Sequence, residues 1–110
     1  MTTLETETMT AAEAAWMARA AEAKVKTEEG KMETARGVHN AAGLAWIKAE
    51  LEAGIEAELE AVAKEAFAAF MNAEKVLKEQ QSILNAAKIE SYMAWKAFDE
   101  AKATEAEHHM

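Results

Sequence analysis

Glu105 and His108 stand three residues apart in Glu105-Ala106-Glu107-His108-His109, the spacing by which one turn of helix offers two ligands to a metal ion. Carboxylate-bridged metal sites in helical bundles use that Glu-x-x-His motif twice, with two further inward glutamates. Here it occurs once, at the extreme end of the chain, where helices fray. A solvated tail is its simpler use, so no metal and no other cofactor is expected. His39 is the only other histidine, and no Ser, Cys or Asp lies near it in sequence to form a nucleophile pair. The chain has no Cys and no glycine-rich phosphate loop, which excludes thiol chemistry and the common nucleotide enzymes. No catalytic residue is expected.

The densest charge feature is Glu50, Glu52, Glu56, Glu58 and Glu60, with no base between Lys48 and Lys64. Leu51, Ile55, Leu59 and Val62 run between these acids. Such a face either keeps the protein soluble or docks on a basic partner, imitating the spacing of phosphates. Formal charge over the whole chain is −8, so direct binding to nucleic acid, which needs a basic footprint, is not expected.

The elements that position these residues must be helices. Of 110 residues, 28 are Ala, while Leu, Ile, Val and Phe together number 17 and Pro is absent. Ala, Glu and Lys are strong helix formers, so an all-α fold follows despite the thin supply of large apolar residues. That same thinness makes a lone monomer marginal, and burial against a second copy or another protein would add the missing stability.

Residues 1–9 read as a flexible arm. Thr10-Ala11-Ala12-Glu13 fits a capping box, in which each side chain accepts from the other residue's backbone N–H, and it starts a helix near Ala11. Gly30, Gly37 and Gly43 fall within fourteen residues. Gly37 can close a helix in the left-handed conformation and Asn40 can cap the next, which predicts one helix over about 11–36 and a turn at 37–40. The remainder, 41–107, is one helix or two within a single helical domain, 10–107. Two architectures fit: a long helical hairpin, or a three-helix bundle of coiled-coil-like, Ala-rich helices.

Apolar residues in the second half recur at eleven. Leu44, Ile55, Ala66 and Leu77 form one row; Leu51, Val62, Ala73, Leu84 and Trp95 form another; Leu59 and Phe70 belong to a third. Eleven residues make about 3.67 per turn, which implies straight or slightly right-handed packing, with these rows as the packing and assembly face.

The N-terminus is acidic and hydroxylic where a secretion signal is basic and then apolar, and no uncharged run approaches the ~18 residues of a membrane helix. A cytoplasmic location, or incorporation into a particle, is therefore expected. Small acidic helical hairpins without Cys include the WXG-type secretion substrates, but Trp46 is followed by Ile47-Lys48 without Gly, and Lys96 stands four residues after Tyr92 where that family has an acid. No family resemblance is drawn. The sequence is read as a non-enzymatic structural or interaction protein that self-associates through Ala-rich helix faces, for example in a phage particle or filament. The alternatives are a small acidic inhibitor docking on a basic protein surface, and a designed helical protein without a biological task.

Overall fold

A computed structural model describes residues 9–108, with the side chain of His108 excepted. The predicted arm, apart from Met9, and His109 lie outside the described residues. Helix α1 spans Ala11–Ile55 and helix α2 spans Glu60–His108; a 3-10 turn, Ala57–Leu59, joins them. No strand occurs among the described residues. The fold is a helical hairpin, the first of the two architectures anticipated.

The turn lies elsewhere than predicted. Residues 37–40 continue α1 without interruption, and no glycine has a positive φ. A glycine inside a helix costs about 1 kcal/mol relative to Ala. Without a proline, that cost is too small to break a helix whose neighbouring residues Ala35, His39 and Ala42 are held on its inner face. The chain reverses at Glu56 instead, whose extended backbone (φ −126°, ψ 111°) ends α1. The segment 41–107 therefore belongs to two helices. Charge explains part of this choice, because acids are unfavourable at a helix C-terminus and favourable at an N-terminus. Glu58 and Glu60 suit the start of the next helical segment, although Glu52, in the last turn of α1, opposes an end there.

The buried positions recur at seven. In the unit Glu28–Leu84, the inward rows of α1 are 32, 39, 46, 53 and 28, 35, 42, 49, and those of α2 are 66, 73, 80, continuing from 59 in the turn, and 63, 70, 77, 84. In the other unit, residues 9–27 with 85–108, the inward rows are 11, 18, 25 and 14, 21 on α1 and 87, 94, 101 and 91, 98, 105 on α2. A seven-residue step is the repeat of left-handed helix pairing, which replaces the eleven-residue rows. Those rows mix faces: Leu44, Leu51, Ile55 and Val62 are exposed, whereas Leu59, Ala66, Phe70, Ala73, Leu77, Leu84 and Trp95 are buried or half-buried. With a quarter of the chain Ala, apolar matches accumulate at many periods, and only burial separates the real one.

Most of the buried residues are small: Ala14, Ala18, Ala21, Ala35, Ala49, Ala63, Ala73 and Ala87 are among them. Small side chains let two helices approach toward the lower end of the ~8–10 Å range of interaxial distances. In the unit Glu28–Leu84, Trp46 packs on Phe67 and Phe70 with ring centroids 4.9 and 5.2 Å apart, and His39 stacks on Phe70 at 4.8 Å. Gly43 borders this cluster: a Cβ there would lie 3.4 Å from Cε1 of Phe70, in ordinary van der Waals contact. His39 is thus a half-buried core residue rather than part of a turn, and its Nε2 lies in that apolar cluster without a hydrogen-bond partner.

One layer of this seam is polar. Glu28 is buried, and its Oε2 accepts from Nε2 of Gln80 at 2.7 Å; Lys31 pairs with its other oxygen at 3.3 Å. In the other unit, Trp95 Nε1 donates to Glu22 at 3.2 Å and Lys24 meets Glu90 at 3.1 Å. The N-terminus of α1 is capped twice. Thr10 and Glu13 form the expected capping box, with the Glu13 N–H donating to Thr10 Oγ1 at 3.1 Å and the Thr10 N–H to Glu13 Oε1 at 3.4 Å. The Ala11 N–H donates across to Glu105 Oε2 at 2.6 Å.

Two outcomes follow. Gly37 has open space where a Cβ would stand, so Gly37→Ala should raise the urea midpoint through about 0.5–1 kcal/mol of added stability. A true turn at 37–40 would give a loss instead. Gln80→Leu removes a donor from a buried carboxylate and should cost about 1.5–3 kcal/mol. Adding Glu28→Leu should restore or exceed wild-type stability in the same denaturation measurement, because a well-packed apolar pair of that size replaces a desolvated one.

Candidate interaction surface

The buried residues are mostly alanines, and many of the large apolar side chains lie outside. Two such surfaces belong to the unit Glu28–Leu84. One is a groove of about 430 Å³ lined by Thr34, Ala35, Val38, Ala42, Ala69, Ala73 and Val76, with Lys31, Asn72 and Gln80. Val62, Ala69, Val76 and Ile83 follow one another at seven along α2, so Val62 and Ile83 extend the same face, each about half exposed. No acid lines the groove, although the chain carries 20 of them.

The second surface lies at the tip, on the outer side of α1. Leu44, Ile47, Leu51 and Ile55 are spaced by three, four and four, which places them on one helical face. Their exposures are 70%, 56%, 68% and 84%. All five acids anticipated as a docking face, Glu50, Glu52, Glu56, Glu58 and Glu60, are exposed around this stripe and the turn beyond it. They do not share one helical face, because the turn divides them between the end of α1, the turn itself and the start of α2. Glu50 accepts from Trp46 Nε1 at 3.1 Å, and Glu60 lies 4.0 Å from Lys64. Glu52, Glu56 and Glu58 have no ion-pair partner among the described residues.

In the other unit, Trp16 and Met17 line a shallow hollow with Ala12 and Glu13. Glu105, one half of the Glu-x-x-His pair, is engaged by the α1 N-terminus. No cluster of three metal-ligating side chains occurs among the described residues, and no helix there is long and apolar enough to cross a membrane.

Sequence reasoning found the acids, Leu44, Leu51 and Ile55, but missed Ile47 as their fourth member and missed the groove altogether. The sequence does carry a signal for the groove: Val62, Ala69, Val76 and Ile83 stand at steps of seven. Glu28 and Gln80 had no local signature, since a buried polar pair shows only once the inward rows are known. No protein-family model, no curated protein and no solved structure matches the chain.

The end of α1 has no basic residue in its last turn, where the helix dipole favours one, and has Glu52 instead. Glu52→Lys should therefore add about 0.3–1 kcal/mol at low ionic strength, and the gain should shrink in high salt. Thermal melts at two salt concentrations measure both.

Proposed function

We propose that the protein has no catalytic role and works by association, joining further copies of itself through the groove of the unit Glu28–Leu84. The observation that carries this reading is the absence of acids from that groove in a strongly acidic chain. Much of the remaining surface carries acids, and Glu65 and Glu79, seven residues either side of Asn72, border the groove at its two ends. At the groove two copies would set Val38, Val62, Val76 and Ile83 against their equivalents, with the charge-depleted composition typical of interface centres. A two-fold pairing is the simplest geometry, because one self-complementary patch then serves both partners. Ala42 and Ala69 line the groove, so an Ala-rich helix face still takes part, flanked by the valines that give it apolar area.

Sedimentation equilibrium tests the reading. The wild-type protein should have a mass above the 12.0 kDa of one chain, with a melting temperature that rises with concentration. Val38→Glu with Val76→Glu should return it to 12.0 kDa, with only a small change in the stability of the hairpin, because both side chains are exposed. A wild-type monomer with a concentration-independent melt would defeat the proposal.

A further inference from the structure

We propose that the apolar stripe at the hairpin tip, Leu44, Ile47, Leu51 and Ile55, is the docking site for a basic amphipathic helix of a partner protein. The stripe has the form such a helix recognises: aliphatic anchors one helical turn apart, open to solvent, on a rigid element. Charge selects the occupant. Glu50 and Glu52 flank the stripe, and Glu56, Glu58 and Glu60 continue the acidic border around the turn. Lys48 is the only base in the stretch 44–63. The carbonyl end of α1 points its negative dipole into the same region, and no basic side chain offsets it there. The tip is therefore a concentration of negative charge, in which Glu52, Glu56 and Glu58 have no ion-pair partner among the described residues. A second copy would meet it with the same five acids, and an anionic lipid or nucleic-acid surface would meet it with phosphates. A helix with Leu- or Ile-type residues along one side and Lys or Arg bordering them satisfies both the apolar stripe and the charge.

This inference is independent of the groove, which the Val38 and Val76 substitutions test separately. The probe is a synthetic helix-forming peptide with Leu at i, i+3, i+7 and i+11 and Lys at the positions between, labelled for fluorescence anisotropy and titrated with the full chain. Saturable binding at low salt should weaken at least about tenfold when ionic strength rises severalfold. Leu51→Ser with Ile55→Ser should weaken it about tenfold, and so should the triple change Glu52→Gln, Glu56→Gln and Glu58→Gln. Ile89→Ser, an exposed aliphatic of the other unit, should leave it unchanged. All substituted side chains are exposed, and circular dichroism verifies that each variant keeps its helix. Equal binding of a scrambled peptide with the same composition, or full binding by the Leu51 and Ile55 variant, would reduce the tip to a general polyanion and overturn the proposal. Absence of binding at low salt would overturn it as well. A fall in the protein's own mass on Leu51→Ser with Ile55→Ser, without loss of peptide binding, would assign the stripe to a second copy.

Discussion

Alanine on the inner face of each helix sets how closely α1 and α2 can pair, and most other features of the two units depend on that distance. A methyl group buries little, on the order of 0.8 kcal/mol per carbon, so the pairing is maintained by many layers rather than a few large contacts. Bulky side chains enter the seam at Met32, Trp46, Leu59, Phe70, Leu77 and Leu84, and in the other unit at Val25 and Phe98. The other large aliphatics among the described residues are exposed. The exposed valines of the groove and the stripe at the tip therefore lie outside a seam built mainly from alanine.

Methyl layers are interchangeable, and a hairpin built from them alone could slip by one repeat at little cost. The polar positions oppose that. Glu28 and Gln80 meet in a buried layer, where a shift of either helix would break the 2.7 Å bond between them, a larger penalty than exchanging one alanine for another. Glu105 makes a similar demand in the other unit, because its carboxylate satisfies a backbone N–H that α1 cannot satisfy within itself. Register is specified by these few groups, and affinity between the helices by the many small ones.

The helical class and the start of α1 were legible because their causes are local: propensity, and the pairing of Thr10 with Glu13. The turn was not legible because it is decided by competition between sites. Gly37 and Asn40 carry the stronger local signals, but they lie where both neighbouring turns of helix are held on the inner face, whereas Glu56 lies just before Glu58 and Glu60, which favour the start of the next helix. Periodicity failed for a related reason. In an Ala-rich chain an apolar residue does not mark the inside; here the smallest side chains are inside and Leu44, Leu51 and Ile55 are outside. The candidate acids were found from their density alone, while their distribution around a turn depended on the break that local signals misplaced.

The position of that turn also bears on how the chain is made. Synthesis proceeds from the N-terminus, so all of α1 emerges before any of its pairing partner exists. Once the turn has formed, the first partners available are those near it. Trp46 can meet Phe67 and Phe70 by closing a short loop, whereas Ala11 must wait for Glu105, nearly the whole chain later. Closing entropy grows only slowly with loop length, but each layer formed near the turn shortens the loop for the next, which favours progressive zippering from the aromatic cluster outward. Until then the inward face of α1 stands in water with methyl groups as most of its apolar surface, alongside a few larger side chains such as Val25, Met32 and Trp46. A leucine-lined helix in that position would be sticky for the whole of its wait, and an alanine-lined one is far less so.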